Sequence, residues 1–339
     1  ADRGHVVMGS GQDMTLDVGG PARLQIDRGA LDGLVANVGS VPIEFATLAV
    51  PNGRLAPNLA KQGVQLHRTL RSDVALLYFN MDDPVVGGLA PERVALRRAL
   101  SLAYDVGREV RLVRRGQAVP AHSIVMPFTR GYDGSFRSAM GEYDPARANA
   151  LLDLYGFKDR DGDGWREQPD GSPLVLQMST EPEQIYRLFN DVWRRCLQAV
   201  GVRCEFRIAQ WPSNLKAAKA GSLQMWMLGN SASEPDGQDS LRWLYGPEAG
   251  QNNLARFKLP AYDALFSRLQ SLPDGPERDA GLLQLKRLGV AYMPYKVLVH
   301  RIANELLHPW VQGYRRTPFW NDWWHMVDVD TAMRAAARG

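Results

Sequence analysis

The stretch LVLQMSTEPEQIYRLFNDVWRRCLQAVGVRCEFRI, residues 174–208, decides the fold. Leu174, Leu176 and Met178 alternate as one face of a strand. Ile185, Leu188, Phe189, Val192, Trp193, Cys196, Leu197 and Val200 then recur at i, i+3, i+4 and i+7, which predicts a helix opening near Pro182 and stopped by Gly201. Val202, Cys204, Phe206 and Ile208 alternate again as a second strand. A helix with so broad an apolar stripe between two strands is a right-handed crossover packed on a sheet.

The pattern extends both ways. Downstream, a short helix from about Pro212 to Ala220 ends at Gly221, and Leu223, Met225 and Met227 begin a third strand. Upstream, Asp144 caps a helix with Pro145 in its first turn, carries Ala148, Leu151, Leu152 and Tyr155 on its inner face, and stops at Gly156. Pro91 to Arg115 reads as two helices, the second capped by Asp105. The runs Asp73–Asn80 and Lys296–Ile302 read as strands that bracket a middle region of the chain, predicting an α/β fold with two crossover segments between lobes. Residues before about 72 give only short apolar runs broken by Gly and Pro.

The chain has 339 residues, more than one core usually serves, and 45% of them are apolar. Forty Lys and Arg face 37 Asp and Glu, a net charge of +3, and the basic residues come as scattered pairs rather than a stripe. Nucleic acid is therefore not an expected partner. No apolar run approaches the ~18 residues that span a bilayer. Cys196 and Cys204 have neither zinc spacing nor the numbers of a disulfide framework. They read as two buried thiols, with a bridge open to them in an oxidising compartment.

Catalytic signatures are missing: no GxSxG elbow, HExxH helix, P-loop or GxGxxG fingerprint occurs, and no His has a second ligand at i+3 or i+4. No enzyme and no cofactor is expected. The stretch DRDGDGWREQPDG (159–171) does resemble a calcium loop, with Asp159, Asp161, Asp163 and Asp170 at positions 1, 3, 5 and 12. The hand-type loop needs a helix on its far side, whereas Gly171-Ser172-Pro173 leads into a strand. A structural turn is the expectation, with aspartates closing Asx turns. Near the C-terminus Trp310, Tyr314, Phe319, Trp320, Trp323 and Trp324 crowd together, and rings such as Trp320 and Trp323 are expected to line a cleft.

These residues resemble a known family. Phe79-Asn80 followed by PERVALRRALSLAYDVGREVRLVRRGQAVPA, then YDPARANALLDLYGFKDRDGDGWREQPDGSPLVL, NLARFKLPAYDAL and VQGYRRTPF, are similar to the signature segments of the peptide/nickel-type solute-binding proteins of ABC importers. The resemblance covers most of residues 70–320. It implies a two-lobe periplasmic-binding-protein fold, type II and cluster C-like. Residues 1–82 and 298–339 would form a partial lobe I and residues 83–297 an inserted lobe II. It further implies that the long N-terminal part of lobe I precedes residue 1, so that the chain is a C-terminal fragment without its signal peptide. The implied role is extracytoplasmic, periplasmic capture of a small or peptide-like solute by a monomer that closes on it and delivers it to a membrane permease. Two alternatives stand beside it: a ligand-sensing domain of the same fold in a regulator, and a hydrolase using Glu234 and Asp236.

The resemblance also nominates the ligand site: Tyr78, Asn80, Asn230, Ser231, Ser233, Glu234, Asp236, Trp320 and Trp323. In peptide-binding members a W-x-x-D-x-x-D/E-P run supplies a buried Asp for the ligand's α-ammonium group. Here that run is Leu228-Gly229-Asn230-Ser231-Ala232-Ser233-Glu234-Pro235, with Leu228 for the Trp and Ser231 for the Asp. A hydroxyl in place of a carboxylate points to a neutral or differently charged solute.

Overall fold

The structure, a computed structural model, describes residues 5–8, 14–17, 23–26, 50, 53–319 and 326–336. By contacts the chain divides into two compact units, Ala1–Thr69 with Ala303–Gly339, and Leu70–Ile302.

In the first unit, β1 (His5–Met8), β2 (Met14–Asp17) and β3 (Arg23–Ile26) form an antiparallel meander. β4 (Gln65–Leu70) follows, and Val50, Val64 and Leu306 make a small apolar cluster.

The second unit holds the large sheet. β5 (Asp73–Phe79) is buried at every position, which is what its unbroken apolar run requires. β6 (Ala118–Pro120), β7 (Val175–Thr180), β8 (Arg203–Ile208), β9 (Met225–Ser231) and the long β10 (Tyr295–Leu307) complete it. The order within this unit is β10-β5-β9-β7-β8, with β6 added beside β10. β7 runs parallel to β8 and β9, while β5 is antiparallel to β9 and β10. β5 is paired with β9 along its whole length, Asp73 opposite Ser231 through Phe79 opposite Met225, so contacts group it with the inserted unit.

Among the described residues, the helices of ten residues or more are α1 (Pro91–Ala103), α2 (Pro145–Leu154), α3 (Gln184–Gln198), α4 (Trp211–Ala220), α5 (Pro260–Ser271) and α6 (Pro276–Tyr292). The predicted caps are present: the Asp144 side chain accepts from the Arg147 amide at 2.9 Å, and Asp105 accepts from Arg108 at 2.7 Å. Gly221 closes α4 in the left-handed conformation, φ 75°. α3 begins at Gln184, two residues beyond Pro182, and buries Phe189, Val192, Trp193, Cys196 and Leu197. Leu188, expected on the stripe, is 43% exposed because it sits at the stripe's edge.

The core of this unit joins one face of the sheet to α1, α2 and α3. Ala75, Leu77 and Phe79 of β5, Leu176 and Met178 of β7, and Met225 and Met227 of β9 meet Leu96, Leu100, Leu152 and Trp193. Trp193 stacks on Tyr104 with ring centroids 3.8 Å apart. Each large side chain so buried contributes about 1.5–3 kcal/mol. Both cysteines are free thiols, Cys196 buried and Cys204 half-buried. Burial pushes the Cys204 thiol up to about 12.

Candidate solute-binding edge

β9 leaves the core at its C-terminal end. Met225, Trp226 and Met227 are buried, whereas Gly229, Asn230 and Ser231 are exposed, as are Ser233 and Glu234 just beyond. This edge is polar and uncharged up to Glu234. The Asn230 side-chain carbonyl oxygen accepts from the Ser231 amide at 3.0 Å, and both residues are exposed.

What stands beside the edge sets its electrostatics. Ser231 pairs with Asp73, the fully buried first residue of β5. The Asp73 carboxylate accepts from Arg71 Nε at 3.0 Å, from Arg301 Nε at 2.8 Å and from the Arg301 amide at 2.9 Å. Its negative charge is therefore spent on two guanidinium groups, each about a third exposed or less (27% and 33%). The neighbouring His300 is held neutral: burial lowers its pKa, and its Nδ1–H donates to the Asp73 carbonyl oxygen at 2.6 Å.

The turn that carries Ser233 and Glu234 is anchored from below. Asp236 accepts from the Gln238 amide at 3.0 Å and from Arg278 of α6 at 2.6 Å. Arg278 also reaches Asp274 at 3.0 Å and the Gln238 side chain at 2.6 Å. Arg130 donates its amide to the Pro235 carbonyl at 2.9 Å and pairs with Asp274 and Asp279 at 3.0 and 2.8 Å. Gly237 is required here, since a Cβ would lie 2.2 Å from the Arg130 carbonyl oxygen. Asp236 is paired with Arg278, whereas Glu234 is exposed.

Tyr78 and Asn80 lie away from this edge. Tyr78 is in the sheet interior, 1% exposed, in one row with Tyr295 of β10 and Trp226 of β9. Burial raises its pKa. Asn80 spends its side chain on the backbone, donating to the Gly221 and Leu223 carbonyls at 2.9 and 3.0 Å and accepting from the Asp82 amide at 3.0 Å. It fixes the turn after α4 to the end of β5. Trp320 and Trp323 lie outside the described residues. Asp73, Arg71, Arg301 and Arg278 were not singled out from the sequence, because nothing in spacing tells a solvated charge from one folded against a partner.

In the 159–171 loop, Asp159 accepts from the Gly162 and Gly164 amides at 2.7 and 2.9 Å, Asp161 from Asp163 at 3.1 Å, and Asp163 from Trp165 at 2.8 Å. Gly162 and Gly164 both have positive φ. Asp170, at the twelfth position of the calcium-like pattern, accepts from the Ser172 amide at 2.9 Å, and the fourth carboxylate near the other three is Glu167.

Comparison with known proteins defines the class first. Residues 44–252 match the family of bacterial extracellular solute-binding proteins, family 5, middle region. The chain belongs to that family, and the resemblance read from its motifs holds. Among curated relatives, it is 27% identical over 270 residues to heme-binding protein A of Haemophilus influenzae, covering 79% of this chain and 46% of the relative. It is 28% identical over 232 residues to di/tripeptide-binding protein 2 of Pseudomonas aeruginosa, covering 66% and 40%. The chain thus spans less than half the length of these relatives.

Solved structures carry the fold. The oligopeptide-binding protein AppA of Bacillus subtilis, in complex with a nonapeptide, superposes with a TM-score of 0.69 at 16% identity, covering 97% of this chain and 66% of that one. NikA of Brucella suis, in complex with Fe(III)-EDTA, gives 0.67 at 16% identity over 96% and 68%. The chain has the α/β fold of these two-lobe periplasmic binding proteins.

Proposed function

We propose that the protein is the solute-capture component of an ABC importer, acting outside the cytoplasmic membrane and handing its solute to a permease, and that the edge from Asn230 to Glu234 forms part of its ligand site. The observation that carries this reading is the exposed polar end of β9, in a chain whose family binds solutes. Closure of two lobes on the solute would follow from contacts made only in the shut state, which shift the population toward it.

The solute is proposed not to be recognised through a free α-ammonium group. Ser231 offers a neutral hydroxyl, and the nearby carboxylates of Asp73 and Asp236 are both paired with arginine. Leaving a buried ammonium without its anion costs several kcal/mol, on the order of a hundredfold or more in affinity. Glu234 is the exposed carboxylate of the edge and the residue that would restore such recognition.

The test is calorimetric titration of the full-length protein with a mixed tri- to pentapeptide library and its N-acetylated counterpart. The expected result is no preference for the free-amine set. Tight binding confined to that set, and abolished by Glu234→Ala or Ser231→Ala, would overturn the reading. Slow appearance of hydrolysis products during the same titrations would overturn the assignment as a binding protein.

A further inference from the structure

The second unit contains a small cavity of ≈ 30 Å³ that none of the β9 edge residues line. Its walls come from the start of β10, the segment after β6, the turn at 138–141, and α6. Most of the wall is apolar, but Lys296, His122 and Ser138 are among the lining residues.

Lys296 is out of place by any rule of patterning. It stands opposite Leu77, which stands opposite Met227, so its side chain enters the apolar face of the sheet. It is 1% exposed, and its ammonium nitrogen is buried with no hydrogen-bond partner among the described residues. The carboxylate that acts on it electrostatically is Glu109. That carboxylate is already taken: one oxygen accepts from Arg114 at 2.6 Å and the other from the Tyr104 hydroxyl at 2.6 Å. Glu109 and Arg114 cancel, and Lys296 leaves one positive charge unmatched in the core.

Ser101 and Ser123, also on the lining, give their protons to the Met140 and Val125 carbonyls, whereas His122 and Ser138 keep a proton to donate. His122 Nδ1 accepts from the Ser138 amide at 3.4 Å, which puts the ring proton on Nε2. The Ser138 oxygen accepts from the Met140 amide at 3.2 Å, and its hydroxyl proton remains to be given. The Lys286 ammonium, also on the lining, is committed to the Gly131 carbonyl at 2.8 Å and adds positive potential without competing for an anion. A buried ammonium without a hydrogen-bond partner among the described residues, beside a cavity where His122 and Ser138 each keep a proton to give, is the complement of an anion.

We propose that this cavity is an anion site, in which a small monovalent anion of chloride or short-carboxylate size is held by Lys296, with Ser138 and His122 as further donors. Burial lowers the Lys296 pKa to about 8, and a bound anion would favour its charged form. The anion would make the core electrically complete, and it sits apart from the β9 edge, so the site stands or falls independently of the solute reading.

The experiment replaces sodium gluconate by sodium chloride at constant ionic strength and follows the thermal midpoint of the full chain and of Lys296→Met. A saturable rise of several degrees in the parent, absent from Lys296→Met, is the expected result. An equal rise in both, or no saturable rise in the parent, overturns the proposal. Should Lys296→Met fail to fold, crystals of the parent soaked in bromide read the site directly: an anomalous peak within hydrogen-bond reach of Lys296 Nζ supports it, and none at saturating bromide refutes it.

Discussion

Removal of the Asp73 carboxylate tests whether the start of β5 is held by charge. Asp73 is fully buried and accepts from two arginines and one backbone amide, at 3.0, 2.8 and 2.9 Å. Breaking a buried ion pair from one side costs about 3–5 kcal/mol, because the partner is left uncompensated. Here the partners are 27% and 33% exposed and regain water when released, which places the ion-pair loss near the lower limit, about 3 kcal/mol. The Arg301 amide loses its acceptor as well, a further ~1 kcal/mol. Asp73→Ala is thus expected to lose roughly 3–4 kcal/mol, and Asp73→Asn about 2 kcal/mol, since the amide oxygen still serves the backbone. Native-state hydrogen exchange of the β5 amides reads this locally, without assuming that the two units unfold together. Protection should fall on the order of a hundredfold or more in Asp73→Ala and less in Asp73→Asn. Protection within about fivefold of the parent, or an equal fall in the two variants, would refute the reasoning.

His300 and His122 both have pKa values lowered by burial. A base whose folded pKa lies below its unfolded one binds fewer protons when folded, so stability is fully present above pH ~6.5 and declines as pH falls through that value. The thermal midpoint should be level just above neutrality and drop on the acid side, with a shallower drop in His300→Gln. An acid limb left unchanged by His300→Gln combined with His122→Gln would sink this. The Asp159 loop is expected to work as a structural turn: Asp159→Ala should lower the thermal midpoint in calcium-free buffer, and millimolar calcium should give no stoichiometric heat. A large calcium-dependent rise in midpoint that is lost in Asp161→Ala would show a bound ion instead.

Periodicity alone determined the β7–α3–β8 crossover, because an apolar stripe at helical spacing between two alternating runs has one compact solution. Asp144, Asp105 and Gly221 were legible as caps because capping depends on neighbours within a few residues, and the structure puts each where its local rule requires. The family, too, could be read from short motifs at fixed spacing. The interior charges could not. Asp73 meets Arg301, Asp236 meets Arg278, and Lys296 faces Leu77, across separations of tens to hundreds of residues. A sequence records that a residue is charged. Whether that charge is solvated, cancelled or left without a partner depends on which distant strand or helix the fold sets against it, and that decided both the electrostatics of the β9 edge and the unmatched ammonium in the core.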